Sequence, residues 1–346
     1  MLVTYVRSSS YNNYAYCEMQ YFITYVLGHY SLSGKKADMG TMAHKVMEVL
    51  AGLKKYQQDH PHAKYLRVND DAIGKFKCGK DELNTEELVN QLIDLSIDAY
   101  AEKSHNDFYK ADRKDVADTV WTFLTHSDGQ FDPRKRDIHF PEPHFDIPIE
   151  EDWAKFDYTT PDGKTVQGQL AIKGTIDLVT KINDDTIEVV DWKTGRRMDW
   201  ATGEVKDYQK LENDAQLLLY YYAISKLYPE FPNRIMSIFF YKDKDGNADP
   251  CPFSLCFSKD DEGRFLEMLK NRVEEIRQNN NPQPLDPTRK HWKCKSLCHY
   301  CKNNWPGTEQ NMCIYIQNYL DKHGMEKTVK DCTREGFDIG FYEAPG

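Results

Sequence analysis

Two runs rich in Ile, Val and Thr constrain this chain most: Gly174-Thr175-Ile176-Asp177-Leu178-Val179 and Val189-Val190-Asp191-Trp192-Lys193-Thr194-Gly195, with Asn183-Asp184-Asp185 midway between them. Such runs on either side of a polar break predict two strands joined by a three-residue hairpin loop. Pairing centred on Asp184 sets Asp177 directly opposite Asp191, and the two-residue period of strand side chains puts Lys193 on the same face. Like charges so placed repel across about 4.5–5.5 Å, so something cationic should sit between the carboxylates. Hard oxygen ligands suit Mg²⁺ or Mn²⁺. Ile176, Leu178, Ile187, Val189, Val190 and Trp192 make both faces of the ribbon apolar. That pattern belongs to a central strand pair covered on both sides, where a carboxylate needs a partner.

The rest of the chain reads as helices and strands around this ribbon. Ser8-Ser9-Ser10 offers N-caps for a helix over 11–27 with Gly28 as its stop and Cys17 in its middle. A second helix over 40–55 has Met42, Val46, Val49 and Leu50 as its apolar stripe, and His44 and Glu48, four residues apart, share a face of it. Residues 56–83 are polar and read as loops. Asn84 and Glu87 resemble a capping box for a helix to 101, and a further helix is expected near 115–126. Prolines 133, 141, 143 and 148 mark an irregular entry into the sheet, with strands expected over 142–156, 165–181, 186–192 and 234–241. A helix over 211–228 packs on that sheet, another capped by Ser258 runs to 278, and Asn and Pro make 279–287 a linker. The expected organisation is N-terminal helices over 1–55, a helical insertion over 56–140, a core over 141–280 and a cysteine-bearing segment over 281–346.

With 346 residues, 40% hydrophobic and 29% charged, the chain has ample material for a core and the balance of a globular protein. No apolar run reaches membrane-span length and Met1-Leu2-Val3-Thr4-Tyr5 has no signal-peptide pattern, so a cytoplasmic or other intracellular location is expected. A net charge of −10 argues against coating nucleic acid by bulk electrostatics, yet it leaves room for a local basic groove. Arg196 with Arg197, Lys206 with Lys210, and Arg289, Lys290, Lys293 and Lys295 are the candidate clusters. Of nine cysteines, Cys294, Cys298, Cys301 and Cys313 crowd into twenty residues. Spacing so close is a metal or iron–sulfur signature. One reading is a self-contained zinc knuckle on those four, with His299 in reserve.

Gly174 to Asp177, then Asp191 to Gly195, then Gln216 to Tyr220, all preceded by Gly40-Thr41-Met42-Ala43-His44, form five signals in one order with the Ser8–Gly28 opening. In that order they resemble the PD-(D/E)xK nuclease superfamily, and most of all its RecB-like exonuclease branch. The resemblance implies an α/β fold: a mixed central β-sheet flanked by helices, a restriction-endonuclease-like core with a helical insertion and a C-terminal cysteine segment. It implies a Mg²⁺- or Mn²⁺-dependent deoxyribonuclease with His44, Asp177, Asp191 and the Trp192 carbonyl as metal ligands. Lys193 would activate water and offset phosphorane charge, Gln216 would position Lys193 or substrate, and Tyr220, Arg196 and Arg197 would stand near the DNA. RecB-like nucleases of the AddB and CRISPR-associated kinds carry a 4Fe-4S cluster from one N-terminal and three C-terminal cysteines. Cys17 occupies the first of those positions, so the resemblance implies Cys17, Cys294, Cys298 and Cys313, with Cys301 in reserve. Single-stranded or free-ended DNA is the implied partner, delivered by a helicase, a recombinase or CRISPR integration machinery. A non-catalytic DNA-end binding module or a zinc-stabilised scaffold is the competing class.

Overall fold

The computed structural model describes residues 1–160 and 163–337. The last residues of the expected 281–346 segment, 338–346, lie outside the described residues.

The strands are β1 (Tyr5–Val6), β2 (Tyr65–Asp70), β3 (Gly74–Gly79), β4 (Ile138–Pro141), β5 (His144–Pro148), β6 (Lys155–Thr159), β7 (Thr165–Gln169), β8 (Ala171–Thr175), β9 (Leu178–Asn183), β10 (Thr186–Arg196), β11 (Asn233–Lys242) and β12 (Ala248–Cys256). The helices are α1 (Ser8–Tyr16), α2 (Glu18–Tyr21), α3 (Lys35–Asp59), α4 (Glu86–Ala101), α5 (Lys110–Thr125), α6 (Tyr208–Leu211), α7 (Ala215–Leu227), α8 (Lys259–Gln278), α9 (Trp292–Ser296), α10 (His299–Lys302) and α11 (Met312–Cys332). A π-helical turn over Phe22–Val26 follows α2.

The central sheet has the order β12-β11-β10-β9-β4, parallel between β10 and β11 and antiparallel elsewhere. A parallel pair needs a crossover, and α7 supplies it. Beside it lies a three-stranded sheet, β1-β8-β5. The fold is thus α/β with a mixed sheet between helical layers. Ile187, Val189, Met236 and Ile238 point into one buried cluster with the N-terminal helices, α7, α8 and α11. Val190, Trp192 and Phe239 point the other way, into a cluster with α3, α4 and α5. Burial on both faces explains why β10 reads as an almost unbroken apolar run.

The ribbon pairs Val190 with Leu178, Val189 with Val179, Glu188 with Thr180 and Ile187 with Lys181, the register centred on Asp184. Its loop is shorter than expected: Thr186 pairs with Asn183 across a two-residue turn, and an irregularity next to it restores the frame. The expected strand over 165–181 is three strands, and its crucial break falls at Ile176–Asp177, where the chain passes from the three-stranded sheet into the five-stranded one.

Other expectations are corrected. The helix expected over 11–27 breaks at Cys17, whose φ of −164° is extended. Its Sγ instead accepts from the Gln20 and Leu285 backbone N–H groups at 3.4 and 3.3 Å. The 56–83 region holds the β2–β3 hairpin. The helix over 211–228 is split before Ala215 because Asp214 caps a new start, accepting from the N–H groups of Gln216 and Leu217. Edge strand β12 and the 21-residue α11 had no counterpart in the sequence reading.

Candidate active site

The sheet fork builds the site. β9 begins only at Leu178, so beyond Val190 the β10 strand loses its neighbour on that side. Asp177 turns its carboxylate into the gap and Oδ2 accepts the Trp192 N–H at 2.9 Å, a side chain replacing the missing ladder partner. α3 closes the gap from the other layer: His44 Nδ1 stands 3.3 Å from the same oxygen. Gly40, one turn earlier on α3, lets the helix approach β10 so closely that a Cβ there would meet Thr194 Oγ1 at 2.6 Å.

Asp191 is 1% exposed. Its Oδ1 accepts from Lys193 Nζ at 3.0 Å and from Gln216 Nε2 at 3.1 Å. Oδ2 is buried and lies 2.7 Å from Lys193 Nζ, so the ammonium sits against both carboxylate oxygens. Gln216 also donates to the Tyr220 hydroxyl at 2.8 Å, which in turn donates to the Thr175 carbonyl at 2.9 Å. Tyr220, 5% exposed, therefore anchors Gln216 from behind. Asp214 holds the start of α7 and pairs with Lys206, so the residue that caps the helix also sets where Gln216 points.

Charge is unevenly distributed over these groups. Burial pushes the Asp191 carboxyl up to about 6, with Asp177 adding to the rise and Lys193 opposing it. Burial acts the same way on Asp177, but His44, Lys193 and the Trp192 N–H outweigh it and hold that carboxyl below its ordinary value. Burial disfavours the charges of His44 and Lys193, and here the carboxylates win: Asp177 raises His44, and Asp191 with Asp177 raises Lys193. The site thus contains one firmly ionised carboxylate, one reluctant carboxylate and a retained ammonium.

His44, Asp177, Asp191, Lys193, Gln216 and Tyr220 are brought together, and Trp192 enters through its amide. Arg196 is exposed at the strand end, and Arg197 is turned to Asp249 at 3.4 Å and to the Phe253 ring. Two acidic neighbours were missed as site residues. Glu48 lies one turn beyond His44, bridged to Lys45 at 2.5 Å, and burial and the facing Glu142 carboxyl push it up to about 9. Glu142 has a φ of +47° and its N–H donates to the Asp177 carbonyl at 3.2 Å. The shared face of His44 and Glu48 was the available signal for the first; nothing local marked the second.

The donor chemistry of His44, Asp177 and Asp191 suits a hard dication, and Asp191 Oδ2 has only the Lys193 ammonium beside it among the described residues. Among the described residues no three His, Cys, Asp or Glu side chains already clasp a common point. The carboxylates are instead held by Lys193, Gln216, His44 and the Trp192 amide.

A second centre lies at the α1–α2 break. Cys17, Cys294, Cys298, Cys301 and Cys313 line one pocket with Tyr16 and Leu285. Cys301 is a full member of that lining. The Cys301 neighbour lowers Cys298 and, with Arg289, brings Cys313 to about 7, while burial raises Cys17 to about 11. His299 turns its ring to the Asn303 amide and is absent from the lining. The remaining cysteines stand elsewhere.

The family model for the PD-(D/E)XK nuclease superfamily matches residues 8–305. A crystal structure from Eubacterium rectale named "Putative exonuclease" is similar at 13% identity and TM-score 0.42, covering 87% of this chain and 88% of that one. The structure of SSO0001 is similar at 15% identity and TM-score 0.26, covering 73% of this chain and 95% of that one. No curated protein matches the sequence.

Proposed function

Because this chain belongs to the PD-(D/E)XK nuclease superfamily, we propose that it is a RecB-like exonuclease that hydrolyses DNA phosphodiester bonds with Mg²⁺ or Mn²⁺. The observation that carries this reading is the convergence of His44, Asp177, Asp191 and Lys193 at the sheet fork, with two buried carboxylates side by side. Burial and the neighbouring Asp177 charge disfavour the ionised Asp191, a burden a bound dication would remove.

His44, Asp177 and Asp191 would hold the metal, with the Trp192 carbonyl as a further oxygen. Bound there, a dication acidifies water and neutralises phosphate oxygens. The protein's own part is positional. Lys193 keeps its charge and stands where it can orient water and balance the negative charge that grows on phosphorus oxygens. Gln216, braced by Tyr220, fixes Asp191 Oδ1 and so the orientation of the whole carboxylate.

The five-cysteine pocket supports a 4Fe-4S cluster on Cys17, Cys294, Cys298 and Cys313, with Cys301 as reserve ligand. Five thiols line one pocket, one drawn from the N-terminal helices and four from the C-terminal segment, the division the proposed cluster requires. Its role would be to staple the C-terminal segment to the first helices. A helicase, recombinase or CRISPR integration complex would present the DNA.

The test uses protein purified without oxygen, incubated with end-labelled single- and double-stranded DNA in Mg²⁺, Mn²⁺ or EDTA. Metal-dependent release of nucleotides, lost in Asp191→Ala, is expected together with iron and sulfide near four per chain. DNA that is bound but never cut would overturn the catalytic reading in favour of end binding. A colourless protein with stoichiometric zinc would overturn the cluster.

A further inference from the structure

Beyond Lys193, both central strands are irregular: the register shifts between Lys193 and Arg196 on β10 and between Phe240 and Lys242 on β11. Bulges re-aim the residues that follow them. Here they leave Arg196 and Lys242 as direct partners across the parallel pair. The first turn of α3 meets this corner. Gly40 rests on Thr194, and burial first, then the charges of Lys36, one turn before Gly40, and of Arg196, depress the Lys242 ammonium's pKa. Asp115 is the acidic group that faces Lys242. None of the three cations has an ion-pair partner within 4 Å among the described residues, whereas Lys35 beside them is paired with Asp112 at 2.6 Å. Lys36 and Arg196 are exposed and Lys242 half-buried.

Three like charges gathered with Asp115 as their acidic neighbour, and no ion pair within 4 Å among the described residues, repel one another, and a chain of net charge −10 does not collect them by composition. The corner lies on the same α3–β10 seam as His44 and Lys193. Lys36 is two helical turns from His44, about 12 Å along the axis, or about three to four nucleotides at 3.4 Å each.

We propose that Lys36, Arg196 and Lys242 form a phosphate-docking station that grips the DNA backbone a few nucleotides from the scissile bond and sets its path across the site. The proposal rests on the nuclease reading for its substrate. Its chemistry is sequence-independent, since phosphate contacts fix register and carry no base information.

Binding of a labelled oligonucleotide is measured in EDTA, where no cleavage occurs, over a series of NaCl concentrations. Each cation removed should shrink the slope of log affinity against log salt by about 0.7–0.9, so Lys36→Ala/Arg196→Ala/Lys242→Ala should lose about two units. Lys36→Arg and Lys242→Arg should keep the slope, and thermal melting of each variant checks folding. A triple variant that melts normally and binds with the wild-type slope overturns the station. So does a wild-type protein without salt-dependent DNA binding. If wild type binds with the expected slope but never cuts in Mg²⁺ or Mn²⁺, the catalytic reading fails alone and the station stands.

Discussion

Asp191→Asn should stabilise the metal-free protein, and by an amount that grows with pH. In the folded chain burial lifts this carboxyl from its ordinary 3.8 to about 6, so the native state binds its proton more tightly than the unfolded state does. Where the native state holds more protons, stability falls as pH rises. The wild type should therefore lose stability between about pH 4 and pH 6, the interval between the two values. Two pKa units correspond to about 3 kcal/mol. The residue is 1% exposed, so solvent screening takes little from that figure. Asparagine keeps the shape and cannot ionise. The pH-independent part of the change, including the loss of a partner for Lys193, shifts the whole curve but not its slope. Urea unfolding of both proteins in EDTA at several pH values from 4 to 6, below the range in which His44 titrates, isolates the term. The gap should widen by about 2–3 kcal/mol in favour of the variant. Excess Mg²⁺ at neutral pH should reverse the order, since a ligand that binds the native state stabilises only the protein that can hold it. A gap that stays flat from pH 4 to pH 6 would refute the account of Asp191 as a carboxylate buried against its own charge.

Three further outcomes are expected. Lys193→Ala should slow cleavage by about 10²–10³-fold while DNA binding in EDTA persists, measured by single-turnover assay; retained wild-type rates with Mn²⁺ would remove Lys193 from the reaction. Gly40→Ala should drive a methyl into Thr194 Oγ1, lift α3 and draw His44 from Asp177, costing up to about 10²-fold in rate, and Thr194→Ala in the same chain should restore much of it; a single variant with unchanged rate would show that the spacing has slack. Ser237→Ala should destabilise the fold by about 1–3 kcal/mol in urea unfolding, because Ser237 donates to the buried Glu188 at 2.5 Å, while leaving cleavage of folded protein unchanged; an unaltered midpoint would mean that the Arg136 ion pair and the Thr180 hydroxyl satisfy Glu188 without it.

The register of the catalytic ribbon was legible because strand parity leaves few choices: once Asp184 is taken as the centre, a slip by one residue would turn Ile187 and Val189 to the wrong layer. The fork at Ile176–Asp177 was not. Neither Gly nor Pro marks it, and the break exists only because two sheets compete for one chain, a tertiary cause. Strand β12 was hidden by Pro250 and Pro252, which oppose strand formation except at an edge, the place β12 occupies. The β2–β3 hairpin did carry a signal, since Leu66 and Val68 alternate with Arg67 and Asn69, and Phe76 and Cys78 with Lys75 and Lys77, but two apolar residues per strand in a polar stretch read as loop. At the site, Asp177, Asp191 and Lys193 announced themselves through spacing, and Cys17 through its position in the chain. Glu142 did not, since only the folded chain brings residue 142 beside residue 48.

The break at Cys17 has a consequence in time. The first helices rest on residues made about 300 positions later: Leu285 N–H reaches the Cys17 sulfur, and His29 Nε2 is 2.8 Å from the Cys332 carbonyl. At about 5–20 residues per second a ribosome needs about 15–60 s to supply those partners. Until then the opening helices have an uncovered apolar side, and any shortened translation product leaves it uncovered for good.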